Sequence, residues 1–165
     1  MKKVILKCNL IVIAIFLNAC SGLFHPAPSN LSPNNKLHQA VLDNDITEVE
    51  NLLKNPFRSI DATSRGRTAL AYAVIQNNYK IAKFLLENGA TPDIPIVVTG
   101  FYPIHIAASN GNLEMVKLLV KYGSNPQLKT ISPNDGEWTR TPITAAQANN
   151  HYKVVGYLKN EINNN

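Results

Sequence analysis

Cysteine is nearly missing from this chain: Cys8 and Cys20 are the only two among 165 residues, and none follows Cys20. No disulfide framework can be read into the part that would fold, so its stability must come from a packed core. Metal-ligand spacing is missing too, because the four histidines, His25, His38, His105 and His151, stand far apart and have no partner cluster of cysteine or carboxylate. There is no nucleophile elbow, no glycine loop that would cradle a phosphate and no pair of carboxylates set for acid-base work. The expectation is a protein that is not an enzyme, needs no cofactor and has no small-molecule substrate. A long apolar run is absent as well: a spanning helix needs about 20 mostly apolar residues, and Lys7 and Asn9 interrupt the only candidate stretch.

That stretch reads instead as an export leader over residues 1–19. Lys2, Lys3 and Lys7 give a positive start, Leu10 to Leu17 an apolar run, and Asn18-Ala19-Cys20 a small-residue end. Leu17-Asn18-Ala19-Cys20 resembles the lipobox of bacterial lipoproteins, in which the thiol takes a diacylglycerol and the new amino terminus is acylated. That resemblance implies lipid attachment at Cys20 and firm anchoring by several acyl chains. Losing the leader takes three lysines from the 16 basic residues, leaving 13 against 11 acidic and a net charge of +2 in place of +5. A nucleic-acid partner thereby loses its main support.

Residues 20–34 follow as a tether, with Pro26, Pro28 and Pro33 among serine and asparagine and no helical or strand period. From Asn35 the chain repeats itself. Thr68-Ala69-Leu70-Ala71-Tyr72-Ala73 aligns with Tyr102-Pro103-Ile104-His105-Ile106-Ala107 at a spacing of 34, and that with Thr141-Pro142-Ile143-Thr144-Ala145-Ala146 at 39. Stepping back 33 from Thr68 reaches Asn35-Lys36-Leu37-His38-Gln39-Ala40. A second apolar pattern with helical period follows each segment, for example Leu113, Met115, Val116, Leu118, Leu119 and Val120. Asn44, Asn77, Gly111 and Asn150 occupy the turn between the two helices of each unit, where a positive φ is expected. Gly89 and Gly123, each followed closely by proline, predict sharp helix ends.

These segments resemble the Thr-Pro-Leu-His-x-Ala signature of ankyrin repeats. The resemblance covers residues 35–160 and implies an all-α solenoid of about four stacked helix-loop-helix units joined by hairpin-like loops. The units fall at about 35–63, 64–97, 98–132 and 133–160, with 161–165 a polar tail. It also implies structural roles for His38 and His105, which occupy the signature's histidine place. Ala40, Ala73, Ala107 and Ala146 are small where neighbouring first helices must approach.

What an ankyrin array leaves for function is surface. Ile75, Gln76, Ser109, Asn110 and Asn149 fill the positions expected to line the concave side, and their mostly neutral chemistry argues against a strongly charged partner. The loop from Ile94 to Phe101 is unusually apolar; either Val97, Val98 and Phe101 meet a partner or the loop packs on its neighbour. The longer loop from Ile131 to Arg140 carries Trp138 and Arg140, residue types enriched at interface hot spots. The expected partner is a protein, met near a membrane through a lipid-anchored, non-catalytic module facing the periplasm. Small ankyrin lipoproteins of bacteria include immunity proteins that neutralise secreted antibacterial effectors such as phospholipases. That role and an envelope scaffold are both open at this point.

Overall fold

The structure, a computed structural model, describes residues 33–56, 58–131 and 139–164. All of them lie in the second of two compact units, Leu31–Asn165. The leader, Cys20 and Trp138 are outside the described residues.

Eight helices and one short ladder make up the described chain: α1 (Pro33–Leu42), α2 (Ile46–Leu53), β1 (Thr63–Ser64), β2 (Arg67–Thr68), α3 (Ala69–Ile75), α4 (Tyr79–Glu87), α5 (Pro103–Ser109), α6 (Leu113–Lys121), α7 (Pro142–Ala148) and α8 (Tyr152–Asn164). They pair as four helix-loop-helix units, α1 with α2 through α7 with α8. β1 and β2 are antiparallel, with Thr63 opposite Thr68 and Ser64 opposite Arg67. Among the described residues no helix is long and apolar enough to cross a membrane.

Helices α3, α5 and α7 have seven residues each, too few to persist in water alone. Two things hold them. The first is the cap: Thr68 accepts a hydrogen bond from Ala71 N, and Thr141 from Thr144 N, whose own hydroxyl returns the bond in a capping box. Tyr102 has no such reach and α5 has no side-chain cap, but Pro103 removes one of the amides that would need one. The second is burial. First helices stack in a row, α1 on α3, α3 on α5 and α5 on α7, and Ala40, Ala73, Ala107 and Ala146 are buried between them. Leucine at those places would force the backbones apart.

The second helices begin with a side-chain cap in three units. Asp45, Asn78 and Asn112 accept from the amides of Glu48, Ile81 and Met115 at 3.0, 3.1 and 3.0 Å. Their apolar faces bury Val49 in α2, Ile81, Leu85 and Leu86 in α4, Met115, Val116, Leu118 and Leu119 in α6, and Val154, Val155 and Leu158 in α8. One core runs from Leu37 to Leu158, so no unit keeps an apolar face to itself.

Two boundaries differ from those expected. Helix α1 starts at Pro33, inside the segment assigned to the tether, because proline is tolerated in a first turn. Helix α8 continues to Asn164 through the supposed polar tail, since no glycine or proline stops it. Glu161 lies one turn beyond Tyr157, whose hydroxyl is pushed up to about 12 by burial and then by the Glu161 charge and hydrogen bond.

Candidate partner-binding surface

The buried histidines account for themselves first. His38 and His105 are 2% and 1% exposed, and each places Nε2 on a carbonyl of the following inter-unit loop, 3.1 Å from Arg67 O and 2.9 Å from Arg140 O. A ring proton on Nε2 donates there and fixes the loop against the helix below it. Burial pushes the His105 imidazole down, while the Arg140 and Leu128 carbonyls and the Asp93 charge pull it back in part. His151, at the start of α8, does related work from a different place, with Nε2 3.0 Å from Ser109 O. Among the described residues no three side chains of the ligating kind come close enough to hold a metal ion.

Two further ladders cross from unit to unit. At the helix-helix turns, Asn78 donates to Asn44 and Asn112 to Asn77, so the cap of one unit rests on the left-handed asparagine of the unit before. Asn44, Asn77 and Asn150 have φ of 58°, 59° and 61°, and Gly111 takes the same place at 70°. At the opposite ends of the second helices, Asp61 accepts from Thr91 N and its hydroxyl at 2.9 and 2.5 Å. Asp93 repeats the clamp on Ser124 Oγ and Asn125 N at 2.6 and 2.9 Å.

With these residues committed, the surface positions can be placed. Ile75 is exposed at 40%, and Gln76, Asn110 and Asn149 are exposed beside it along the first-helix row, with Ser109 half-buried. Some of this row is already stitched: Gln76 Nε2 donates to Leu42 O at 3.0 Å, and Asn149 Nδ2 to Ser109 Oγ at 2.9 Å. The side chains expected to face a partner therefore also tie the array, leaving Ile75 and Asn110 the more prominent members. Sequence alone gave no sign of this second role, since the bonded residues lie 34 and 40 positions apart.

The apolar loop divides. Ile96 is buried and Ile94, Pro95 and Phe101 are half-buried; Phe101 stacks on His105 with ring centroids 6.0 Å apart at 17°. Val97 and Val98, by contrast, are 74% and 76% exposed at the tip. The backbone turns there by Thr99 N and Gly100 N both donating to Ile96 O. Arg140 exposes its side chain while its backbone pairs with Thr130 and receives His105. Trp138 lies outside the described residues.

Residues 70–120 match the family model for ankyrin repeats. Over 127 residues the chain is 35% identical to a putative ankyrin repeat protein of Acanthamoeba polyphaga mimivirus, covering 76% of this chain and 16% of that protein. It is 32% identical over 115 residues to cyclin-dependent kinase inhibitor 2A of Monodelphis domestica, covering 69% and 61%, respectively. A probable 26S proteasome regulatory subunit of Saccharomyces cerevisiae is 37% identical over 103 residues, covering 60% and 45%. The chain thus spans between 16% and 61% of the lengths of these three relatives.

Proposed function

The chain is built of ankyrin repeats, and on that premise we propose that it is a non-catalytic module that binds a protein, held at a bacterial envelope by lipid on Cys20 with the repeats in the periplasm. One observation carries the binding part. Among the described residues His38, His105, Asn78, Asn112, Asp61 and Asp93 are engaged in stacking one unit on the next, while Ile75 and Asn110 stand out along the first-helix row. An apolar residue between neutral amides suits a protein surface of mixed chemistry and offers nothing to a polyanion. The relatives named as a kinase inhibitor and a proteasome regulatory subunit are in keeping with a regulatory contact. The lipid anchor rests on the lipobox at Leu17 to Cys20 alone.

The more specific reading is an immunity protein that meets an incoming effector, such as a phospholipase, at the membrane where that effector acts. It is tested by expressing the chain in cells exposed to a candidate effector from a neighbouring gene. Protection that disappears in Ile75→Asp with Asn110→Arg, while the thermal midpoint stays within about 2 °C, supports it. Protection unaffected by that pair places the contact elsewhere, and capture of a resident envelope protein by the same surface supports a scaffold instead. Radiolabelled lipid incorporated by the native chain and lost in Cys20→Ala tests the anchor separately.

A further inference from the structure

The inter-unit loops are joined edge to edge. Val97 N donates to Gly66 O and Ile131 N to Gly100 O, both at 3.0 Å, and Thr130 N donates to Arg140 O at 2.9 Å. The two glycines make the approach possible: a Cβ on Gly66 would lie 3.0 Å from Val97 Cβ, and one on Gly100 only 1.8 Å from Ile131 O. These bonds set Arg65, Val97, Val98, Ile131 and Arg140 along one ridge. Its aliphatic members are 74%, 76% and 53% exposed at 97, 98 and 131, and Arg65, Lys129 and Arg140 are exposed around them. Asp61 and Asp93, the carboxylates of these loops among the described residues, keep their charge but are half-buried in the unit-to-unit clamps, whereas the three cations are exposed. Asp135 and Glu137 belong to a segment outside the described residues, and the ridge is defined without them.

We propose that this ridge docks on an anionic lipid surface, with Val97, Val98 and Ile131 entering the headgroup boundary and Arg65, Lys129 and Arg140 meeting lipid phosphates. Charge complementarity selects the occupant: cations around an aliphatic tip fit anionic headgroups, which attract basic residues near the surface. Shape separates lipid from protein. Val97 and Val98 crown a tight turn, and a fluid surface can close around such a tip, whereas protein hot spots sit in well-packed, desolvated pockets. The ridge goes beyond the protein-binding reading, which uses the first-helix row, and each can fail while the other stands.

Hydrogen exchange of the full chain, followed through the peptide spanning 94–101, tests the proposal. Mixed with vesicles containing about one third phosphatidylglycerol, that peptide should exchange about fivefold more slowly than with phosphatidylcholine alone. Val97→Asp with Val98→Asp should abolish the slowing. Lys129→Glu with Arg140→Glu, which keeps the aliphatic tip, should reduce it; both pairs lie on the surface and should leave the thermal midpoint in place. Equal exchange with the two vesicle types overturns the proposal, as does slowing that both variants retain. Slowing produced by a vesicle-free extract of envelope proteins, and by no vesicle, overturns it in favour of a protein partner.

Discussion

The first and last junctions of the array are built on the same plan and finished differently. At both, a buried histidine holds the incoming loop, His38 on Arg67 O and His105 on Arg140 O. The first adds the amide pair Asn78 to Asn44 and the Asp61 clamp on Thr91. At the last, Gln127 stands where Asp61 and Asp93 stand in their own units, and α8 runs on as helix through the place where a clamped turn would sit. The amide pair is replaced too: Gly111 has no side chain, and the His151 ring fills the space and reaches Ser109 O instead. Repetition thus fixes the backbone path, while the bonds that lock it are chosen junction by junction. A junction with fewer locks should open first.

The largest effect expected is one that erases the contrast. Leu119→Asp buries a carboxylate in a fully enclosed site shared across the core, and should cost about 4 kcal/mol or more, melting both junctions together. Circular dichroism and exchange mass spectrometry would show a single lost transition; an unchanged midpoint would refute the shared core.

Next comes a substitution that should sharpen it. Gly111→Asn keeps a residue tolerant of the left-handed turn, but its Cβ would lie 2.5 Å from His151 Nδ1, so a cost of about 2 kcal/mol is expected. Adding His151→Asn should recover most of that loss, because it rebuilds the amide pair found at the earlier junctions. Urea denaturation of the single and double variants measures the rescue, and a double variant no better than the single would mean the two motifs are not interchangeable.

Asp61→Ala acts on the other side of the comparison. Removing an acceptor of two hydrogen bonds from the first junction should cost about 1.5 kcal/mol and raise exchange in α1 and α2 before α7 and α8, reversing the order of opening.

The smallest expected effect comes from pH. Because burial holds His105 below the ordinary imidazole value of 6.5, the unfolded chain takes up the proton first. The stability this residue contributes is complete at neutral pH and is lost as pH falls through about 6.5 toward the folded value. Unfolding free energies measured between pH 7.5 and 5.5 should therefore decline. His105→Gln should flatten the slope, and an equal slope in the variant would assign the decline to other groups.

Much of this architecture is written in short-range pattern. Thr68 and Thr141 announce helix starts, and Asn44, Asn77, Gly111 and Asn150 mark the left-handed turns because few other residues accept that conformation. The surface was less legible. Nothing in the order Ile94 to Phe101 says that Ile96 turns inward while Val97 and Val98 point out, since the loop has no period to read. Gln76 and Asn149 look like idle surface amides until the stack brings Leu42 and Ser109 within reach. Helix α8 outran its expected end because polarity alone is no stop signal.

That overrun has a consequence for assembly. A solenoid has two open ends, and either could in principle accept a further copy and grow into a filament. Along α8, Tyr152 stands 71% exposed at the start and Lys153, Lys159, Asn160, Asn163 and Asn164 are exposed beyond it, while Val154, Val155 and Leu158 are turned into the core. A copy arriving on the later turns, from Lys159 to Asn164, would have to strip water from amides and an ammonium group and would bury little hydrocarbon in return. Over those turns α8 is therefore a poor seat for a second copy, and a copy that did arrive would find its apolar foothold at Tyr152 instead.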